Sequence, residues 1–194
     1  MIPRYVQIAL TLLVAAVLVM GFYANRLMRQ AQGPAKAVVD SRPIAPPVAG
    51  RTERVTLFVA SDADGLLRPR QIDLVLPPEP GLRARVILRS LIGIYLEKSS
   101  SHPLASGADV DDVFLLNGST AIIDANRAFA EGHPSGVLVE GLTVASLAQT
   151  LAANLPGITR VKILVDGKER ETLAGHADLM DFYDASAGTW PVGR

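Results

Sequence analysis

Residues 136–179 constrain the fold of this chain more than any other stretch. They read GVLVEGLTVASLAQTLAANLPGITRVKILVDGKERETLAGHADL. Val144, Leu147, Ala148, Leu151 and Leu155 stand at i, i+3, i+4, i+7 and i+11, which places them on one face of a helix. Thr143 and Gln149 fall off that face. Pro156-Gly157 ends the helix, since proline has no donor to continue it and glycine accepts the left-handed cap. Beyond it, Val161, Ile163 and Val165 alternate with Arg160, Lys162 and Leu164, the period of a strand with one apolar and one mixed face. Asp166-Gly167 suits a two-residue type I′ turn, so a short strand over residues 168–173 is expected to fold back. A helix that must bury one side, feeding a strand that must bury one side, makes a sheet-plus-helix layer. These residues are arranged for packing, and nothing among them is arranged for chemistry.

Upstream, the globular part is expected to begin at Arg54. RVTLFVA reads as a strand, residues 72–76 as another, and SDADGLLRPR as the loop between them. Asp62, Asp64 and Gly65 resemble the opening of a calcium loop. The twelve-residue loop would then need an oxygen ligand where Leu66 stands and a bidentate glutamate where Asp73 stands, so a polar hairpin tip is expected instead. Residues 82–98 read as a helix with Ala84, Ile87, Leu88, Leu91 and Tyr95 on one stripe. Arg83, Arg85 and Arg89 lie mostly off the stripe, as a solvated face would, with a partner surface as the alternative.

Residues 111–116 and 119–124 flank Asn117-Gly118, a strong hairpin signal. Asn117-Gly118-Ser119 also matches a glycosylation sequon, but the hairpin already accounts for it. Residues 126–135 read as a loop with Phe129 pinned into the core, and Ser135 as the N-cap of the following helix. The element order predicts an α+β fold: a small mixed sheet with two helices on one face, an α-β-β-α-β core preceded by a strand pair.

The start of the chain is of another kind. Residues 5–24, YVQIALTLLVAAVLVMGFYA, carry no charge, and 20 helical residues span about 30 Å, the depth of a bilayer's hydrocarbon core. Tyr5, Phe22 and Tyr23 stand where interfacial aromatics belong. With no small-x-small cleavage site after Ala24, an uncleaved anchor is expected over a signal peptide. The expected organisation is a flank at 1–4, a transmembrane helix at 5–25, a Pro/Ala-rich tether at 26–53, one domain at 54–180 and a flexible tail at 181–194. Arg26, Arg29, Lys36 and Arg42 outnumber Arg4 on the far side of the span, a bias that favours a cytoplasmic domain. A single apolar segment at the extreme start favours export, and long domains translocate largely regardless of charge. The expectation is a single-pass inner-membrane protein with its C-terminal domain on the extracytoplasmic side.

Formal charge sums to zero, yet residues before 50 hold 5 basic and 1 acidic residue against 14 and 18 afterwards. An acidic globular part does not suit nucleic-acid binding. The chain has no cysteine, which removes disulfides, thiolate metal sites and a cysteine nucleophile. His102, His133 and His176 are far apart in sequence, with no i, i+4 pair or acidic companion to make a metal motif. His176 is expected to bond Asp178 or a backbone carbonyl. Residues 132–136, GHPSG, lack the spacing of a nucleophile elbow around Ser135. Asp109, Asp111 and Asp112 read as a solvated charge group. No catalytic, cofactor or metal site is expected.

VTLFVASDADGLLRPR, the hairpin DDVFLLNGSTAIIDANRAF and the ending LAQTLAANLPGITRVKILVDGKERETLAGHADL resemble the GerMN domain family over roughly residues 54–180. Thr150, Leu151, Pro156, Gly157, Asp166, Gly167, Lys168, Glu171, Thr172, Leu173, Gly175 and His176 stand at the matching places of its closing motif. The resemblance implies a bacterial, envelope-facing module with no known catalytic role and a fold similar to ring-building motifs. The function expected from it is a non-enzymatic interaction or assembly module, self-associating or part of a sporulation- or envelope-related complex, with envelope proteins and a second copy of itself as partners. Association with peptidoglycan, as a glycan or small-ligand binder or a wall hydrolase, is the alternative.

Overall fold

The structure, a computed structural model, describes Met20 and residues 50–185. Met20 is helical and exposed; the rest of residues 1–49, and residues 186–194, lie outside the described residues, while residues 51–53 of the expected tether are already strand, so the domain starts before Arg54. Strands β1 (Arg51–Ser61) and β2 (Leu66–Leu76) pair antiparallel as a separate two-stranded sheet. Helix α1 (Pro80–Tyr95) leads to β3 (Val110–Leu116) and β4 (Thr120–Ala125), then the short α2 (Arg127–Glu131) and the long α3 (Val137–Asn154). Strands β5 (Arg160–Val165) and β6 (Tyr183–Asp184) complete a four-stranded sheet ordered β3-β4-β5-β6, with β4 and β5 parallel and the other pairs antiparallel.

The expected α+β class stands, with the strand pair as its own sheet. Val113, Ile123 and Ile163 align across the large sheet and are buried on its inner face. They share one core with Ala84, Ile87, Leu88, Leu91 and Tyr95 of α1 and with Val144, Leu147 and Leu151 of α3. Both helices therefore cover the same side. Asn117 and Gly118, at φ 51° and 67°, and Asp166 and Gly167, at φ 50° and 70°, take the left-handed conformations that a type I′ turn requires.

Helix α3 is apolar and long enough to cross a membrane, but it is the core helix. It is buried on two sides, and the second side is polar. Thr143, Ser146, Thr150 and Asn154 recur at helical spacing; the first three are buried, Thr143 included, although it lies off the apolar face. This stripe runs along the outer edge of β1. The N–H groups of Thr56, Phe58 and Ala60, which point away from β2, are met by Asn154 Oδ1, by Thr150 Oγ1 at 2.9 Å and by the Tyr95 hydroxyl at 2.9 Å. Side chains thus stand in for a neighbouring strand. Burial pushes the Tyr95 hydroxyl up to about 12, so it remains a donor and acceptor at ordinary pH.

The other edges are closed by other means. On β2 the outward-facing positions are those opposite Thr56, Phe58 and Ala60, namely Gln71, Pro69 and Leu67. Pro69 removes the middle donor. On β3, Arg89 Nε donates to Val110 C=O at 2.9 Å and Arg85 Nη1 to Asp111 C=O at 3.2 Å. Strand β6 is only two residues long. Unpaired strand edges invite pairing with other chains, and this fold leaves little edge to pair with.

Several expectations are corrected. Residues 66–70 belong to β2 and not to a loop, because Gly65 at φ 69° closes the turn with Gly65 N–H to Ser61 C=O at 2.9 Å. The strand was masked by its polarity, being largely exposed. Residues 126–135 hold α2, capped by Asn126 Oδ1 on Phe129 N–H, and Phe129 is buried as expected. Gly136 and not Ser135 occupies the N-cap of α3. The strand expected at 168–173 reduces to bridges at Lys168 and Thr172. There the backbone turns away from β5 to meet Glu140. Its place beside β5 is taken by Tyr183 and Asp184, inside the expected tail, because the Tyr183 ring is buried against the core.

Candidate functional site

The inner face of the large sheet is spent on packing, so the outer face is where the fold shows side chains to its surroundings. Phe114 and Leu116 of β3, Ile122 of β4, and Arg160, Lys162 and Leu164 of β5 alternate with the buried residues and point outward. Phe114 is 49% exposed, and Phe182, from the segment leading into β6, is 51% exposed. The Phe182 ring lies 5.3 Å from Arg160 Cζ and 5.8 Å from Lys162 Nζ, which fixes it over the same face. Lys162 is buried there, its ammonium held by Met180 C=O and by Glu169 Oε1 at 3.1 Å. Met180 and Leu116 are also exposed. The face is a shallow aromatic and aliphatic surface around a neutralised cation, with a guanidinium at its margin.

The histidines occupy two clusters. His176 Nδ1 lies 2.9 Å from Glu140 Oε1 and 3.4 Å from Ser135 Oγ. Serine, histidine and glutamate side by side invite a comparison with a catalytic triad, but a triad uses both ring nitrogens and here both contacts fall on Nδ1. The imidazole then has no second nitrogen engaged to pass a proton. Glu140, fully buried, is also saturated. It accepts from the backbone N–H of Gly136 at 3.0 Å, Ala174 at 3.0 Å, His176 at 2.9 Å and Ala177 at 2.8 Å. Burial pushes its carboxyl up, but the hydrogen bonds from Ala177, Gly136 and Ala174 and from the His176 ring outweigh this, holding it at about 2. Glu140 ties the loop after β5 to the first turn of α3. The bond expected from His176 to Asp178 or a backbone carbonyl goes instead to Glu140.

His102 and His133, distant in sequence, have ring centroids 6.2 Å apart, and each places Nε2 at 2.7 Å from Thr143 Oγ1. Asp62 leaves the solvated hairpin tip to reach His102 Nδ1 at 2.6 Å. Spacing could not reveal this pair, because Thr143, which joins the two rings, falls off the apolar face of its helix and only the fold shows it buried. Asp109 pairs with Arg89 at 2.7 Å, and Asp112 bonds Val113 N–H at 2.8 Å, so two of the three clustered aspartates are structural. Arg83 binds Glu53. With Arg85 and Arg89 bonded to carbonyls of β3, each arginine of this set ties α1 to a neighbouring element, and Arg89 does so while remaining exposed. Among the described residues no group of three or more histidines and acids is placed to hold a metal.

An apolar cleft of about 500 Å³ opens between the end of α3 and the β3–β4 turn, lined by Pro80, Leu115, Leu155, Pro156 and Ile158. Neither a carboxylate nor an imidazole lines it, and its charged residue, Arg83, is paired with Glu53.

The family profile Germane, described as sporulation and spore germination, matches residues 56–171, more than half of the chain. The chain belongs to the Germane family. The Germane match runs from β1 through β5 and into the loop held by Glu140. Among solved structures, the first GerMN domain of the sporulation protein GerM from Bacillus subtilis aligns with 67% of this chain and 95% of its own length, at 19% identity and a TM-score of 0.50. The tandem GerMN domains of the same protein align with 68% of this chain at 18% identity and a TM-score of 0.51. This chain spans 45% of that tandem structure. These likenesses place the Germane domain in the GerMN fold. No curated protein matches the chain in sequence.

Proposed function

We propose that this Germane domain is a non-enzymatic interaction module, held at the cell membrane by its N-terminal segment and displayed on the extracytoplasmic side. The outer face of the four-stranded sheet is the surface that engages a protein neighbour, either an envelope protein or a second copy of the chain. The observation that carries the reading is the gathering of Phe114, Leu116 and Phe182, all about half exposed, on a face that no described helix covers. Aromatic residues and arginine are the side chains that dominate binding energy at interfaces. The sheet edges are closed by Asn154, Thr150, Tyr95, Pro69, Arg85 and Arg89, so edge-to-edge stacking is disfavoured and a face is left. The uncharged run at residues 5–24 and the proline-rich stretch after it support a tether, which raises the local concentration of the module at the membrane.

The test uses the full chain in detergent, with sedimentation to read self-association and affinity capture from envelope fractions to read other partners. Concentration-dependent dimers, or a captured protein lost on Phe114→Lys, support the reading. A strictly monomeric chain that retains only peptidoglycan fragments would point to glycan binding instead.

A further inference from the structure

We propose that Asp62, His102, Thr143 and His133 form a proton-locked clasp, in which the two imidazoles together carry three N–H protons and the resulting imidazolium holds the β1–β2 turn against α3. The inference comes from counting donors and acceptors along the chain of contacts, and does not depend on the docking surface.

At one end, His133 Nδ1 lies 2.7 Å from Pro134 C=O, which only accepts, so Nδ1 carries a proton. At the other end, His102 Nδ1 lies 2.6 Å from a carboxylate oxygen of Asp62. Between them, both Nε2 atoms lie 2.7 Å from one hydroxyl, Thr143 Oγ1, which has a single proton to give. If both imidazoles were neutral with Nδ1–H, Thr143 could satisfy one Nε2 and the other would face an oxygen lone pair. The cluster is buried, so that clash has no water to relieve it. One added proton resolves it. His102 then donates from both nitrogens, to Asp62 and to Thr143; Thr143 donates to His133 Nε2; and His133 donates to Pro134 C=O.

The surroundings say where the added proton sits. Burial draws the His133 imidazole below its usual range, which favours the neutral ring at that end. The charged groups acting on it are His102, Glu140 and Asp62, and Glu140 is already committed to four backbone N–H groups. On the other side the Tyr95 ring stands edge-on to His102 at 4.7 Å, its hydroxyl engaged by Ala60 N–H. The Asp62 side chain keeps 29% exposure, so its carboxylate stays solvated and the proton rests on the imidazole. Thr143 Oγ1 also lies 3.1 Å from Val139 C=O, but donating there would force a proton onto both Nε2 atoms and make two buried cations for one carboxylate.

The consequence is mechanical. The turn after β1 reaches the body through Asp62, whose N–H also bonds Ser101 C=O at 3.0 Å, beside His102. Loss of the added proton removes the ion pair from the clasp and loosens the hairpin tip from α3.

Nitrogen-15 histidine NMR of the full chain reads the protonation directly, because only three histidines are present and His176→Gln assigns the third. At pH 7.5 the clasp gives one doubly protonated imidazole, His102, and one neutral Nδ1–H ring, His133. Asp62→Asn turns an amide N–H₂ toward His102 Nδ1 and satisfies the chain with two neutral rings. In that variant His102 becomes the neutral Nε2–H tautomer. Two neutral imidazoles in the wild-type protein, or a doubly protonated His102 that survives Asp62→Asn, would overturn the proposal.

Discussion

The side-chain amide of Asn154 pairs with the backbone of Thr56 in both directions, Oδ1 accepting from Thr56 N–H at 3.0 Å and Nδ2 donating to Thr56 C=O at 2.7 Å. That is the exchange an antiparallel neighbour would make with one residue, supplied here from the last turn of a helix. Asn154→Ala leaves both groups unpaired in a half-buried place and is expected to destabilise the domain by about 1–3 kcal/mol. Asn154→Asp keeps the acceptor and loses the donor. Denaturant titration of the two variants should rank Asn154→Asp between wild type and Asn154→Ala, with faster hydrogen exchange at Thr56 in both.

Tyr95 closes the same edge further along, its hydroxyl accepting from Ala60 N–H in a fully buried position. Tyr95→Phe keeps the ring and orphans that donor. A loss of about 1–3 kcal/mol is expected, read as a lower denaturation midpoint with unchanged slope.

Glu140 has the strongest linkage to acid. Its carboxyl is held at about 2 in the folded protein, while an unfolded glutamate titrates near about 4.3. Between those values the unfolded chain binds the proton and the folded one does not. The contribution is therefore fully present above the unfolded value and is lost as pH falls towards 2. It amounts to about 3 kcal/mol, since each pH unit is worth about 1.4 kcal/mol. Thermal melts from pH 6 to pH 2 should show this decline in wild type and a flatter profile in Glu140→Gln. The variant is already less stable at neutral pH, because its amide offers one acceptor oxygen where the carboxylate used two.

What the residues disclosed in advance follows a physical line. Apolar periodicity and turn chemistry are local, so α1, α3, the Asn117-Gly118 hairpin and the Asp166-Gly167 turn were all legible. Strand β2 was not, because it buries little and its pattern is polar. Nor was the turning of residues 168–179 around Glu140, a long-range demand of one buried carboxylate. The polar stripe Thr143, Ser146, Thr150 and Asn154 was visible as helical spacing, but its meaning required knowing that a strand edge lay beside it. The outer face could be listed by alternation along β4 and β5, whereas Phe182 joins it only through the fold.

Phe114→Lys should leave folding nearly untouched, within about 0.5 kcal/mol, since the side chain is half exposed. Its expected effect is on association alone, and equal melting temperatures with weakened capture of a partner would show that separation.

Site-directed photocrosslinking in the full chain, in membranes, tests the proposed docking face most directly. Probes placed at Phe114 and Phe182 on the open face are compared with probes at Gln71 on the β2 edge and at Leu138 beside the hairpin tip. The account predicts protein adducts from the first pair and none from the second. Adducts from Gln71 or Leu138, with Phe114 and Phe182 silent, would contradict it.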